Sequence, residues 1–237
     1  MARWVYQSAP DFGLSWWQRV RRFPRSPDLT VWGLRSLAGA SLRFYLKIYH
    51  RLKAHGLENL PQGESFAMVA NHASHLDAVC LMAALPLEYM HRCFPAAATD
   101  YWFRNPLTML VAGGMLNALA MDRKGHPRRS LQACRSVLEE PGNVLILFPE
   151  GRRSPDGQLL PFRSGIGYVL AGTPHLVVPA YIGGTDRALP RGGVIPIPSP
   201  ITVHFGTPRR FADVPPEREG YDQVTADLEK AIRALKP

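Results

Sequence analysis

Short apolar runs that alternate with helix-length segments constrain the fold of this 237-residue chain more than any other feature. Runs of this kind suit strands buried on both faces, and strands separated by helices favour a parallel sheet covered by helices. The sequence therefore predicts the α/β class, as a single domain with a mostly parallel mixed sheet flanked by helices. The predicted strands are 66–70, 116–120, 144–148, 176–182 and 201–205, and the predicted helices are 78–85, 127–139 and 217–235.

Positive charge is concentrated at the amino-terminal end of the chain. Residues 1–54 contain ten basic and two acidic side chains, which accounts for +8 of the formal net charge of +9. Aromatic side chains among them favour the headgroup layer of a membrane. We therefore predict an N-terminal helical extension over 1–54 that binds an anionic membrane surface, followed by an α/β domain over 55–237. The aromatic residues interleaved with these charges include Trp4, Trp16, Trp17, Phe23 and Trp32.

Residues 29–53 have the periodicity of an amphipathic helix, too often interrupted by charge to cross a bilayer. The apolar stripe either contacts a membrane or docks on the domain core, and both hold if different faces are used. The longest uncharged apolar stretch, 107–121, has fewer residues than the roughly 20 that a spanning helix needs. We expect no transmembrane span and a peripheral or monotopic protein on the cytoplasmic face of a membrane. The stripe comprises Val31, Leu34, Ala38, Leu42, Tyr45, Tyr49 and Leu52.

The most informative polar residues follow the first apolar run, where His72 lies five positions before Asp77. Five helical residues would turn the two side chains about 140° apart, so His72 is predicted on a loop. Asp77 is then predicted in the first turn of the next helix, where the helix dipole favours a carboxylate. A carboxylate that orients an imidazole makes a general base. Alone, the spacing is a weak motif, and a capped helix start with a surface histidine explains it equally well.

A second polar group follows the apolar run 144–148, where Gly151 precedes Arg152 and Arg153. Glycine lets a ligand approach the backbone, and arginines offer forked donors that match phosphate oxygens. A solvated basic turn is the alternative interpretation. Arg123 also follows an apolar run, and Pro179 interrupts another, which predicts an edge strand or a bulge there.

In order and spacing, these segments resemble the four blocks of the glycerolipid acyltransferase family, the lysophosphatidic acid acyltransferases and their relatives. The blocks read Asn-His-x4-Asp, an arginine after the third apolar segment, Phe-Pro-Glu-Gly-x-Arg-Ser and Val-Pro-Ala-Tyr, within residues 66–182. The resemblance implies that His72 is the catalytic base and Asp77 its partner. It also implies a group of residues that binds the phosphate of the acceptor. Three further residues of the blocks belong to the site without an assigned chemical role. The phosphate group is Arg123, Glu150, Gly151, Arg152 and Arg153, and the further residues are Asn71, Ser154 and Pro179.

One residue departs from the family pattern, because Arg152 stands where the third block commonly has threonine. The extra cation either strengthens binding of a phosphorylated acceptor or shifts the preferred headgroup. Lys124 and Arg163 are predicted to be bystanders or aids to the same anion, and backbone amides within 71–77 are the expected oxyanion donors.

The resemblance implies transfer of a fatty acyl group from a thioester, acyl-CoA or acyl-carrier protein, to a lysophospholipid hydroxyl. The acceptor it indicates is 1-acylglycerol-3-phosphate, giving phosphatidic acid, with no bound cofactor. The alternatives are another lysolipid or glycolipid acceptor, or a non-catalytic membrane-lipid-binding module. A hydrolase with the same pair is disfavoured because the chain lacks a Gly-x-Ser-x-Gly elbow. A nucleic-acid partner is disfavoured because the basic residues lie on no recognisable reading element.

The remaining reactive side chains predict little chemistry. Cys80, Cys93 and Cys134 are odd in number and lie in apolar surroundings, which predicts reduced core thiols. No spacing typical of metal ligands occurs, so no metal is expected, and His75 is predicted to be an accessory or surface residue.

Overall fold

A computed structural model describes residues 15, 18, 29–102, 106–122 and 125–237 of the chain. Helices and strands alternate along it, as the sequence predicts. The strands are β1 (Lys53–His55), β2 (Phe66–Ala70), β3 (Cys93–Ala98), β4 (Leu119–Met121), β5 (Val144–Leu147), β6 (Leu176–Gly183), β7 (Thr202–Phe205) and β8 (Arg209–Arg210). The helices are α1 (Leu29–Tyr49), α2 (Leu76–Ala84), α3 (Thr99–Trp102), α4 (Pro106–Met109), α5 (Pro127–Glu139), α6 (Gly165–Leu170), α7 (Thr185–Ala188) and α8 (Arg218–Ala234). A π-helical turn (Leu110–Met115) continues α4.

These strands form one sheet in the order β1-β7-β6-β2-β5-β3-β4, with β8 pairing beside β7 on β6. Strands β2 to β6 run parallel, whereas β7 and β8 are antiparallel to β6. The predicted mostly parallel mixed sheet is therefore confirmed. We call the end at which β2 to β6 terminate the carboxyl end of the sheet; the β2, β5 and β3 exits lie side by side there.

Both faces of the sheet are covered by helices. In β2, Phe66 and Met68 face a core shared with α1 and α2, while Ala67 and Val69 face a core shared with α5, α6 and α8. All five residues of β2 are buried, which explains why its sequence is an uninterrupted apolar run.

Helix α1 uses one face to dock on the domain and exposes another. Ala38, Leu42 and Tyr45 of the predicted stripe lie on the docked side, where Leu46 is fully buried. A second apolar stripe, which includes Leu34 of the predicted one, is centred about 110° around the helix from the docked side and faces away from the domain. Its side chains are exposed by 68% (Leu34), 68% (Leu37), 69% (Phe44) and 64% (Ile48).

The extension and the domain meet at β1. Lys53 of β1 pairs with Thr202 of β7, so the boundary predicted at residue 54 falls inside a strand of the sheet. The predicted helix ends at Tyr49 rather than near residue 53. Trp4, Trp16, Trp17 and Phe23 lie outside the described residues.

Strand β6 corrects the edge position inferred from Pro179. It is an interior strand, with β2 on one side and both β7 and β8 on the other. Pro179 lies where the antiparallel partner changes from β8, at Val177, to β7, at Ala180. Its carbonyl accepts a hydrogen bond from Gly206 N at 2.8 Å, in the connection between those strands. The missing N–H of proline therefore faces a break in the ladder.

The segment 107–121 is divided among α4, the π-helical turn and β4. Among the described residues, no helix combines the length and hydrophobicity required to cross a membrane. Cys80, Cys93 and Cys134 are free and buried, as predicted, and burial raises the pKa of each thiol.

Close packing of α6 on α8 depends on Gly167, because a Cβ atom there would overlap the backbone of Tyr221. We expect Gly167→Ala to lower the free energy of unfolding by about 1–3 kcal/mol, measured by urea denaturation. Gly33→Ala is the matched control, since a Cβ at this exposed position of α1 meets nothing within 4 Å. The control should be neutral or stabilising by up to about 1 kcal/mol. Equal effects of the two substitutions would contradict this packing.

Candidate active site

Parallel pairing brings two polar loops together at the carboxyl end of the sheet. Strands β2 and β5 are neighbours, with Val69 opposite Leu147, so the residues after each strand leave the sheet side by side. In open α/β sheets this end is where ligands bind. The loop after β2 is defined here as the His72 loop, residues 71–75, and the loop after β5 as the Glu150 loop, residues 148–154.

His72 and Asp77 form a direct pair, with 2.8 Å between His72 Nδ1 and Asp77 Oδ2. The Asp77 side chain is completely buried, whereas that of His72 is 21% exposed. An ionised carboxylate only accepts hydrogen bonds, so Nδ1 carries the proton and the lone pair is on Nε2. The placement predicted from the spacing is confirmed, because His72 is on the loop and Asp77 is in the first turn of α2.

The same carboxylate oxygen also fixes the backbone of the His72 loop. Asp77 Oδ2 accepts hydrogen bonds from Ala73 N at 2.7 Å and from Ser74 N at 2.8 Å. These amide donors and the amino end of α2 stabilise a buried negative charge. Loop conformation and imidazole orientation therefore depend on one buried side chain.

The Glu150 loop holds His72 from the other side. The imidazole stacks on the Phe148 ring, with 4.3 Å between ring centroids. His72 N donates to Glu150 Oε1 at 2.8 Å, and Ser154 N donates to the His72 carbonyl at 2.8 Å. Both backbone groups of His72 are thus bonded to this loop.

Glu150 is placed differently from the arginines with which it was grouped in the predicted phosphate site. Its other oxygen, Oε2, accepts from Leu160 N at 3.2 Å, so both oxygens serve backbone amides. The side chain is 3% exposed. Burial raises the pKa of this carboxyl to about 7, although the amide donors from His72 and Leu160 act to lower it. The contacts give Glu150 a positioning role, and a role in phosphate binding has no support from them.

Asn71, which had no assigned chemistry, joins the His72 loop to β6. Its side-chain amide donates to the Ile182 carbonyl at 2.9 Å, and its carbonyl oxygen accepts from Ile182 N at 2.7 Å. Ser154 is also structural in its contacts, because its hydroxyl donates to Asp156 at 2.8 Å. Gly151 has φ of +69°, and a Cβ there would lie 2.9 Å from Arg163 Nε. The positive φ favours glycine at this turn, and a Cβ there would also require the Arg163 side chain to move.

A cavity of about 470 Å³ opens beside His72. Its lining includes four arginines, none of which forms an ion pair with another described residue. It also includes small and aliphatic side chains from β3, α5, α6 and the π-helical turn with its following residue. The arginines are Arg152, Arg153, Arg163 and Arg191, and the apolar lining includes Ala96, Ala97, Ala98, Ala112, Leu116, Leu131, Ile166 and Val169.

Aromatic rings form a wall of the cavity near Arg153. The Arg153 guanidinium lies 6.0 Å from the Tyr101 ring centroid, and Tyr101 stacks on His75 at 4.8 Å. Burial, assisted by the nearby Arg153 charge, lowers the pKa of His75 to about 4. His75 is therefore a neutral wall residue, more enclosed than the predicted surface position.

The predicted phosphate-binding group differs from the observed cavity lining at two arginines, Arg123 and Arg191. Arg123 lies outside the described residues, as does Lys124, so their assignments stay predictions. Arg191 reaches the cavity from the loop between α7 and β7. It is not part of the predicted phosphate-binding group. The proline- and glycine-rich surroundings of Arg191 indicate a loop but give no direction for it. Among the described residues, no group of three or more histidine, cysteine, aspartate or glutamate side chains is placed to hold a metal ion.

The α/β domain is suited to general-base chemistry on an anionic ligand. It has a buried carboxylate, an imidazole with a free Nε2 and an arginine-lined cavity. A family model described as Acyltransferase matches residues 51–183. The chain belongs to this acyltransferase family.

Similar proteins carry related names. The chain is 36% identical over 148 residues to a 1-acyl-sn-glycerol-3-phosphate acyltransferase of Limnanthes alba, covering 59% of this chain and 48% of that protein. It is 32% identical to the chloroplastic enzyme LPAT1 of Arabidopsis thaliana, covering 61% of this chain and 39% of that protein. The chain therefore spans about half the length, or less, of these curated relatives.

A solved structure shares the fold. The 1-acyl-sn-glycerophosphate (LPA) acyltransferase PlsC from Thermotoga maritima matches with a TM-score of 0.63, over 86% of this chain and 82% of that chain. Sequence identity is 22%, so this likeness concerns the architecture alone.

The raised pKa of Glu150 links stability to pH. Because its pKa is about 7 in the fold, against about 4.3 when unfolded, folding favours the protonated acid. This contribution to stability is complete below about pH 4 and is lost as pH rises through about 7. We expect the unfolding free energy of the wild type to fall by about 2–3 kcal/mol relative to Glu150→Gln between about pH 5 and 8. Urea denaturation at each pH measures it.

Glu64→Gln is the control for this titration, since the Glu64 side chain is 62% exposed. Parallel stability profiles for the wild type and Glu150→Gln would contradict the assignment.

Proposed function

We propose that the protein transfers a fatty acyl group from an acyl thioester to the free hydroxyl of 1-acylglycerol-3-phosphate, giving phosphatidic acid. The observation that carries the proposal is the His72–Asp77 pair beside a cavity lined by both arginines and apolar side chains. A phosphorylated, acylated acceptor has both chemistries in one molecule. The names of the similar proteins from Limnanthes alba and Arabidopsis thaliana support this acceptor.

His72 acts as the general base in this proposal. Nε2 takes the proton of the acceptor hydroxyl while that oxygen attacks the thioester carbonyl carbon. The tetrahedral intermediate collapses, the carbon–sulfur bond breaks, and the leaving thiolate receives the proton from the imidazolium. Asp77 stabilises the imidazolium between these steps, because its carboxylate already accepts from Nδ1. Such a base contributes about 10²- to 10⁴-fold to the rate.

Three of the backbone amides expected as oxyanion donors are already bonded within the protein. The amide of His72 donates to Glu150, and the amides of Ala73 and Ser74 donate to Asp77. These three groups are therefore committed to the loop itself. The backbone of the adjacent Glu150 loop and the cavity arginines are the remaining donors close to His72.

The cavity arginines bind the phosphate of the acceptor. Arg153 is half-buried against Tyr101, which restricts its guanidinium to the cavity, whereas Arg152 and Arg163 are exposed. A half-buried cation loses less conformational freedom on binding, so Arg153 is the principal phosphate ligand among the described residues. The apolar side chains of the cavity contact an acyl chain of the donor, either acyl-CoA or acyl-carrier protein.

The protein works at an anionic membrane surface in this proposal, through residues 1–54 and on the cytoplasmic face. The net charge of this segment attracts anionic lipid. The exposed stripe of α1, containing Leu34, Leu37, Phe44 and Ile48, offers an apolar contact of the kind that amphipathic helices place in the headgroup layer.

A different headgroup is the second candidate for the acceptor. Arg152 and Arg191 add cations to the cavity. A lysolipid or glycolipid that carries more negative charge would satisfy them all. Mass spectrometry of products from a panel of acceptors and donors distinguishes these substrates.

The assignment of the base is tested by His72→Ala and Asp77→Asn in acyl transfer from acyl-CoA to 1-acylglycerol-3-phosphate. We expect each to lower kcat by about 10²-fold or more. An asparagine amide facing Nδ1 would favour the tautomer that carries its proton on Nε2, which removes the base. Wild-type turnover by His72→Ala would contradict the proposal.

The phosphate contact is tested by Arg153→Ala. We expect KM for the phosphorylated acceptor to rise about 10- to 100-fold, with a smaller change in kcat, because one charge-assisted hydrogen-bonding group is lost. Arg210→Ala removes the same charge from β8, near the amino end of β6 and away from the cavity. An equal rise in KM for both variants would show a general charge effect.

A further inference from the structure

Exposed apolar side chains are distributed unevenly over the described part of the chain. Of fourteen large ones, six are on α1, three on the crossover between β3 and β4, and three on the loop before β7. Only two, Leu57 and Leu87, lie in connections that lead into the amino ends of β2 and β3. An exposed apolar surface concentrated on one side of a protein marks an interaction site. The twelve are Trp32, Leu34, Leu37, Phe44, Ile48, Tyr49, Tyr101, Leu110, Met115, Val194, Ile195 and Ile197.

The loop before β7, residues 191–198, carries the most exposed of these side chains. Val194 is 89% exposed, Ile195 80% and Ile197 55%. Aliphatic side chains this exposed and this close in sequence raise the free energy of the protein in water. They require a partner that covers them.

Hydrogen bonds hold the 191–198 loop in place. Gly193 N donates to the Pro190 carbonyl at 2.9 Å, and Ile197 N donates to the Ala188 carbonyl at 2.8 Å. Tyr49, at the end of α1, donates its hydroxyl to the Pro196 carbonyl at 3.2 Å. The loop therefore continues the surface of α1.

The base of the loop belongs to the candidate active site. Arg191 lines the cavity, and the Leu189 carbonyl accepts the Ser74 hydroxyl of the His72 loop at 2.8 Å. Arg187 is also exposed nearby. An aliphatic tip with arginines at its base matches a bilayer, in which acyl chains lie beneath a layer of phosphates.

We propose that Val194, Ile195 and Ile197 insert into an anionic phospholipid bilayer and form, with the exposed stripe of α1, one membrane-contacting surface around the cavity opening. This proposal rests on the proposed function in taking the acceptor to be a membrane lipid. Two contacts, rather than one helix, fix the orientation of the cavity towards the bilayer. An acceptor then reaches Arg191 and His72 without leaving the membrane.

A polarity-sensitive thiol dye at Ile195→Cys tests the insertion directly. Cys80, Cys93 and Cys134 are at most 1% exposed, so the added thiol is labelled selectively. With vesicles of equal parts phosphatidylcholine and phosphatidylglycerol, we expect a blue shift of emission at position 195 and none at Leu57→Cys. Unchanged emission at position 195 overturns the proposal. A blue shift that follows protein concentration without vesicles also overturns it, because a second copy of the chain then covers the loop.

Vesicle binding by a serine variant gives the second measurement. We expect Val194→Ser/Ile195→Ser/Ile197→Ser in the full chain to bind the same vesicles about 10-fold more weakly, or worse, since less apolar surface is buried. The control Leu57→Ser/Leu87→Ser should bind like the wild type. Equal affinity of the triple variant and the wild type overturns the proposal.

Activity assays separate this inference from the proposed function. With a short-chain acceptor dissolved below its micelle concentration, we expect the triple variant to match the wild type, and with vesicle-embedded acceptor to be slower. An undiminished rate on the embedded acceptor counts against the loop contact. If the wild type acylates neither form, the proposed function fails, while the dye and binding measurements still decide whether the loop inserts.

Discussion

The buried carboxylate of Asp77 is the interaction on which the site depends. A single oxygen accepts three hydrogen bonds, from the His72 ring and from the amides of Ala73 and Ser74. These bonds fix the bend of the His72 loop, the orientation of the His72 imidazole and the start of α2 together. Truncating the side chain would leave three donors without their acceptor, and an unpaired buried donor costs about 1–3 kcal/mol. The same group thus maintains both the fold of the loop and the basicity of Nε2.

A second carboxylate, that of Glu150, completes this arrangement from the neighbouring strand. It also accepts from backbone amides, yet its pKa is raised to about 7 because burial outweighs its two donors. Asp77 likewise accepts from two amides, and it also accepts from the His72 ring at the amino end of α2. Each of the two buried acids therefore fixes backbone amides of the site. These bonds occupy the amides of His72, Ala73 and Ser74.

The sequence predicts those features that a local pattern determines. Uninterrupted apolar runs located β2, β5 and β6, since a strand buried on both faces cannot alternate with polar residues. The five-residue spacing located His72 and Asp77 correctly because the loop and the helix start are adjacent in sequence. Strand β3 was not predicted, because Pro95 and three alanines give weak strand propensity and its pairing with β5 and β4 determines it instead. The directions of the Glu150 and Arg191 side chains depend on contacts between distant segments, which a single sequence does not show.

Not every basic residue of the N-terminal extension is available to bind anionic lipid. Arg35 donates to the Gly114 carbonyl at 2.9 Å, and Arg43 donates to the Leu85 carbonyl at 2.6 Å, both on the docked side of α1. These two cations attach the helix to the domain, so they face away from any surface that the exposed stripe contacts. Electrostatic attraction to anionic lipid falls off within a Debye length, and it therefore depends on the other basic residues. In the proposed membrane complex, apolar contacts from α1 and the 191–198 loop determine the orientation, because attraction alone does not specify which side of a basic protein faces the membrane.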